Sequence, residues 1–115
     1  MKSKDHYSKL NESVAGVIQN GCEFKGKLSF EGVLRLGGTF EGEVFTNDTL
    51  IIEDTGFVSG NIMADVVIVS GKVVGDINAK NKIEIYKPAM IKGNLSAPSI
   101  SMEEGVVFDG NTKMG

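Results

Sequence analysis

The chain has 115 residues, among them 15 glycines, two prolines, one cysteine and no tryptophan, and its formal net charge is −3. That length holds a single domain, and an apolar content of 41% argues against wholesale disorder. A mildly acidic chain with dispersed charges does not favour nucleic acid as a partner, and the lone Cys22 excludes an internal disulfide or a cysteine-cluster metal site. Val and Ile together number 22; these β-branched types favour pleated strands, so a helix-rich fold is a poor candidate.

Residues 1–13 (MKSKDHYSKLNES) carry three Lys, one Asp and one Glu, with Met1, Tyr7 and Leu10 as the apolar side chains. No apolar stretch of signal-peptide or membrane-spanning length follows, since Val14-Ala15-Gly16-Val17-Ile18 stops at Gln19. The expectation is a disordered tail over 1–13, acting either as a solvated leader or as a weak surface anchor or partner-binding peptide, on a cytoplasmic protein. The sequons at Asn11, Asn47 and Asn94 then read as chance matches.

From residue 24 a unit written apolar-x-Gly-x-apolar recurs six times. Its copies are Phe24-Lys25-Gly26-Lys27-Leu28, Phe40-Glu41-Gly42-Glu43-Val44, Val58-Ser59-Gly60-Asn61-Ile62, Val73-Val74-Gly75-Asp76-Ile77, Ile91-Lys92-Gly93-Asn94-Leu95 and Phe108-Asp109-Gly110-Asn111-Thr112. The glycines are 16, 18, 15, 18 and 17 residues apart, a mean of 16.8. Four residues past each of the first five glycines stand Phe30, Thr46, Ala64, Ala79 and Ala97, and an apolar-x-apolar pair follows: Leu34/Leu36, Leu50/Ile52, Val67/Val69, Ile83/Ile85 and Ile100/Met102. Alternation of this kind is the mark of a strand with one buried face, and no helical period runs beyond a turn or two.

A unit of about 17 residues cannot bury its apolar face alone, so the units must stack. The predicted architecture is a single-domain, all-β, right-handed parallel β-helix, triangular in section. It has about six rungs over residues 14–112, with a short tail at 113–115. The handedness follows the strong preference of parallel crossovers. The repeat glycines Gly26, Gly42, Gly60, Gly75, Gly93 and Gly110 are expected to lack a side chain on the outer face, and a third short face can lie in the connection between units. Ala64, Ala79 and Ala97 suit an interior corner. Stacking in register sets Lys25 beside Glu41 and Lys27 beside Glu43, pairs worth about 0.2–1 kcal/mol each.

Catalysis has little to work with. The one histidine, His6, lies in the tail. Gly32-Val33-Leu34-Arg35-Leu36-Gly37-Gly38-Thr39 has the length of a phosphate-binding loop, but glycine replaces its lysine and no helix follows. Glu103 and Glu104 are adjacent and point to opposite faces of a strand; Asp76, Asp109, Glu41 and Glu43 read as a solvated face. Cys22 shares parity with the inward-pointing Phe24 and reads as a buried thiol. No catalytic, cofactor or metal residue is assigned.

The ends of such a coil are its exposed chemistry, because the terminal rungs leave backbone hydrogen-bonding groups unpaired. Soluble solenoids carry polar caps, and none is read here. The first rung, with Val17, Ile18, Cys22 and Phe24, and the last, with Ile100, Met102, Val106, Val107 and Phe108, are therefore expected to stack on other copies by strand addition. Val17, Ile18, Cys22 and Phe24 form one candidate polymerisation surface, and Ile100, Met102, Val107 and Phe108 the other.

The spacing in Phe24-x-Gly26-x-Leu28, Phe40-Glu41-Gly42-Glu43-Val44 and Val73-Val74-Gly75-Asp76-Ile77-x-Ala79 closely resembles the bactofilins, a family of bacterial cytoskeletal proteins, across residues 14–112. The resemblance implies a right-handed β-helix that polymerises without nucleotide into non-polar filaments. It further implies a scaffold for cell-wall (peptidoglycan) enzymes and cell shape, at the inner face of the cell membrane. Family members commonly have disordered tails and a hydrophobic N-terminal peptide; Met1-Lys2-Ser3-Lys4 is polar instead. An aromatic residue of the last rung sits at the subunit junction in such filaments, and Phe108 occupies that place. Two other functions compete: a small β-helical module that shows one face to a protein or glycan and forms a discrete oligomer, and an acyltransferase-like enzyme, for which the coil lacks a histidine.

Overall fold

The computed structural model describes residues 16–114, and the tail expected over 1–13 lies outside them. Ten strands follow in chain order: β1 Gly16–Ile18, β2 Glu23–Phe30, β3 Leu34–Leu36, β4 Thr39–Thr46, β5 Thr49–Ile52, β6 Phe57–Val69, β7 Lys72–Ile85, β8 Met90–Ser96, β9 Ser99–Met102 and β10 Val107–Lys113. The last strand runs one residue past the expected end of the coil. Every pairing is parallel, and each strand pairs with the equivalent segment one lap away. The chain is an all-β solenoid: six glycine-centred segments enclose about five turns, without a helix among the described residues.

Register turns the sequence repeat into columns. Phe24, Phe40, Val58, Val73, Ile91 and Phe108 stack in one inward column. Leu28, Val44, Ile62, Ile77 and Leu95 form a second, ending on Thr112. The apolar pairs make two more, Leu34–Leu50–Val67–Ile83–Ile100 and Ile18–Leu36–Ile52–Val69–Ile85–Met102. All members of these columns between the end rungs are buried and form one continuous core. The corner position holds Thr46, Ala64, Ala79 and Ala97, all buried as expected. Thr46 survives there because its hydroxyl donates to the Gly32 carbonyl at 2.9 Å and accepts from the Asp48 amide at 3.1 Å, which satisfies a buried polar group.

The uneven lap lengths have a simple origin. The run from each inward residue before a glycine to the corner residue, and the apolar pair itself, never change length. Only two connections vary: three or four residues from the corner to the pair, and four or six from the pair to the next inward column. A register shift between Ala64 and Val66 marks the first of these, where β6 passes its neighbour β7.

The repeat glycines do a different job from the one expected. Their φ values run from +129° at Gly26 to +155° at Gly110. An ordinary strand residue between Phe40 and Val44 would aim its Cβ into the core beside them. At Gly42 a Cβ would instead run along the stack and overlap the carbonyl oxygen of Gly26. The same collision recurs up the coil, each glycine against the one a lap before it. The glycine is thus a corner where the strand changes direction, between the Phe40 and Val44 columns, and the third face is made there rather than in the connection. Both a positive φ and an axial close approach require the missing side chain.

Gly26 differs, since a Cβ there meets nothing within 4 Å. Gly26→Ala should therefore cost only the backbone strain, roughly 1–3 kcal/mol. Gly60→Ala must also push apart two rungs and should cost clearly more. Denaturant unfolding of the two variants side by side measures the difference; equal losses would refute the axial collision.

Candidate functional site at the two rims

The coil has two open ends among the described residues. At the N-terminal rim, β1 pairs only with β3 and β2 only with β4; at the C-terminal rim, β9 pairs only with β7 and β10 only with β8. Four strand edges thus carry backbone donors and acceptors with no partner strand, a template for strand addition.

The side chains at these edges come from the same columns as the core. Phe24 lies 40% exposed, whereas Phe40, its neighbour in the column, is 0% exposed; the two rings stack at 5.3 Å between centroids with an interplanar angle of 9°. Phe24 is a core residue by direction and a surface residue only because no described lap precedes it. Ile18 and Leu28 are half-buried against the same core. At the other end Ile100, Val106 and Phe108 are half-buried against it, and Met102 closes its column exposed. Val17 takes the register position beside Arg35.

Two residues stand elsewhere than expected. Cys22 is exposed, not buried. It precedes Glu23 as Gly38, Gly56, Gly71 and Ala89 precede their strands, and its carbonyl accepts from Thr39 as theirs do from the next lap. Gly38, Gly56, Gly71 and Ala89 are all buried, so Cys22 is exposed for the same reason as Phe24: it is the first described member of a buried column. Val107 is 54% exposed and pairs in register with the exposed Met90. It therefore faces sideways from the coil and not along its axis. Conversely, Leu28 belongs to the N-terminal rim although the sequence reading left it out; its place in the Val44–Ile62 column is the signal that finds it.

The outward rows are polar over much of their length. Lys25 and Glu41 form the expected ion pair at 3.9 Å, with both side chains largely in water. Lys27 and Glu43 share register but make no pair within 4.0 Å. Arg35 pairs with Glu53 one lap on. Lys82 Nζ lies 2.9 Å from Glu84, whose other oxygen accepts from the Tyr86 hydroxyl at 2.8 Å. The hydrogen bond from Lys82, then that from Tyr86, holds the Glu84 carboxyl below its usual range, and Glu84 in turn raises Lys82 and Tyr86.

Comparison with known proteins now decides the family. Residues 16–113 match the sequence model of the bactofilins, described as polymer-forming cytoskeletal. The chain belongs to the bactofilin family. Over 99 residues it is 37% identical to bactofilin BacP of Myxococcus xanthus, covering 86% of this chain and 41% of that protein; it thus spans about two fifths of the length of that relative. Over 98 residues it is 31% identical to bactofilin BacO of the same organism, covering 85% of this chain and 78% of that one. The fold superposes on the solid-state NMR structure of the cytoskeletal bactofilin BacA with a TM-score of 0.79, at 27% identity over 90% of this chain and 97% of that one. It superposes on the crystal structure of a phenylalanine-to-arginine mutant of the Thermus thermophilus bactofilin with a TM-score of 0.72, at 27% identity over 76% and 98% of the two chains. Bactofilins are cytoskeletal structural proteins, which fits a coil whose distinctive surfaces are its ends.

The lowered Glu84 carboxyl should give this bactofilin an acid limb of stability. A depressed carboxyl contributes stability that is present above the unfolded carboxylate pKa and is lost as pH falls through the lower folded value. Site-resolved NMR titration should place Glu84 below the usual glutamate range, and Lys82→Gln should move it back up; no movement would refute the assignment.

Proposed function

We propose that this bactofilin polymerises by stacking rim on rim into filaments that need no nucleotide. Like ends meet, so the filament has no polarity. The observation that carries the reading is the open ends of the inward columns: among the described residues, columns that are wholly buried inside the coil are uncovered where they reach its two ends. Covering them with another copy extends the apolar core and the backbone ladder in one step. The family resemblance supports the like-end order. It also supports a cytoplasmic scaffold role, with peptidoglycan enzymes as partners and the inner face of the cell membrane as its place of work. On this reading Ile18, Cys22, Leu28 and Phe24, with Val17 beside them, make one joint. Ile100, Met102 and Phe108 make the other, and Val107 lies at its margin.

Phe108→Arg tests the joint and its symmetry together, because it sets an unpaired charge in a desolvated apolar contact. Unaltered protein should sediment as large assemblies without ATP or GTP and show thin filaments by electron microscopy. With the C-terminal joint closed and the N-terminal one intact, Phe108→Arg should sediment as a dimer. A monomer would instead indicate head-to-tail order, since one blocked rim then stops both contacts. Filaments unchanged by the substitution, or an unaltered protein that stays a discrete small oligomer at high micromolar concentration, would overturn the proposal and favour the binding-module reading.

A further inference from the structure

The N-terminal rim is half of a lap. β1 lies on β3 with Gly16 opposite Leu34 and Ile18 opposite Leu36, an offset of 18 residues, while the outer edge of β2 has no partner strand. Residues 1–15 enter the coil directly at β1. Carried back along the chain, the same offset sets residues 5–12 (DHYSKLNE) against the whole of β2, Glu23–Phe30. No connection has to change length, because Glu12 precedes Gly16 by four residues as Phe30 precedes Leu34. Leu10 then falls on Leu28, the half-buried end of the Val44–Ile62–Ile77–Leu95 column. His6 falls on Phe24, and Ser8 on Gly26. At the later corner glycines, from Gly42 to Gly110, the space of a Cβ is filled by the carbonyl of the preceding lap; at Gly26 none of the described residues fills it. Neighbouring offsets fit worse. An offset of 17 brings Tyr7 onto Phe24 but puts Lys9 at the glycine corner and Asn11 on Leu28, and an offset of 19 puts Tyr7 at the corner and Lys9 on Leu28.

We infer that residues 5–12 complete the lap that β1 ends, adding a parallel strand to the open edge of β2 and closing the N-terminal rim from within the same chain. The added strand pairs the backbone groups of β2 and covers the Leu28 column with Leu10. Its remaining inward positions, His6, Ser8 and Glu12, are polar, as a capping repeat of a solenoid requires. The closure is also weak. Ser8 must take the positive φ that the later laps give to glycine. Asp5 comes beside Glu23 and Lys9 beside Lys27, and like charges on neighbouring strands oppose pairing. A strand held this loosely gives way to a second copy, so it acts as a gate on the N-terminal joint. The gate rests on the rim stacking proposed above; the closure itself does not.

Cys22 serves as the reporter of closure. At an offset of 18 it lies beside Lys4, and parallel neighbours about 4.8 Å apart fall within the disulfide range of about 4.4–6.8 Å between Cα atoms. In dilute full-length Phe108→Arg protein, Lys4→Cys should form an intramolecular disulfide faster than Ser3→Cys or Asp5→Cys, read by mass spectrometry and non-reducing gels. Leu10→Asp should abolish that preference, and Ser8→Gly should sharpen it. Equal rates at the three positions, disulfides formed only between copies, or a preference for Asp5→Cys (the offset of 17) would overturn the inference. The gate is read with Phe108 intact. Leu10→Asp should lower the protein concentration at which large assemblies sediment, and Ser8→Gly should raise it about tenfold by relieving the strained corner. Oxidised Lys4→Cys protein should stop at small species that grow on reduction. Assembly that ignores all three substitutions would overturn the gate. The Lys4→Cys preference in a protein that never assembles would uphold the closure and sink the rim stacking instead.

Discussion

The axial fit of one lap on the next is the constraint on which the rest of this molecule depends. Parallel strands stack at about 4.8 Å, and at the glycine corner the backbone of each lap lies directly over the carbonyl of the last. A methyl group there would hold the laps apart over the whole ladder, not at one residue. The turn column shows the same pressure: Gly56 and Gly71, like Gly38, would each press a Cβ into backbone oxygen of the preceding lap. With two corners pinned by glycine and a third by Thr46 or alanine, the lap has almost no freedom in the plane. The inward columns are then forced into register. The continuous core is a consequence of that stacking as much as its cause.

From this constraint the rims follow. A globular domain ends its core by curving elements over it, but a coil held in register cannot curve; its cross-section is the same at every level. The column that buries Phe40 and Val58 completely must present Phe24 and Phe108 at the ends with the same orientation and less cover. Nothing special in the composition of these residues leaves them uncovered. Their position does, and only Thr112, at the end of the Leu28 column, departs from the apolar pattern toward water. The same geometry explains why Gly26 keeps a φ of +129° with no described lap beneath it: the corner is needed for direction even where the close approach is absent.

Much of this was legible in the sequence, and the reason is that a solenoid writes its tertiary structure at a fixed period. The inward columns, the small corner residues, the Lys25–Glu41 pair and the parallel architecture all follow from aligning the copies. What escaped was information that period-two reasoning cannot hold. Alternation puts Cys22 in a column that is indeed buried at Gly38, Gly56, Gly71 and Ala89, but it does not show that the first described lap has none beneath it, and there the thiol is exposed. It also groups Val107 with the last rung, whose inward member is Phe108, while Val107 itself faces outward beside Met90. The glycine's axial direction lies outside any inward–outward pattern, and only its backbone angle and its neighbour's carbonyl reveal it. Leu28 joins the rim for a simpler reason: a rim is a whole lap, which reaches from Gly16 to Phe30.

The division of the surface into ends and sides also separates what selection can adjust. Changes in the outward rows leave the inward columns untouched, because successive strand residues serve opposite faces. The two variable connections absorb lap lengths from 15 to 18 residues without moving a column. Side faces can thus gain apolar residues such as Phe57 and Met90, or acidic ones such as Glu43 and Asp76, at no cost to the core. The rims have no such latitude. Each inward rim residue is the terminal member of a packed column, so any change there also alters the packing of the lap behind it. Contacts along the axis are therefore tied to the fold itself, while contacts from the sides are free to vary around it.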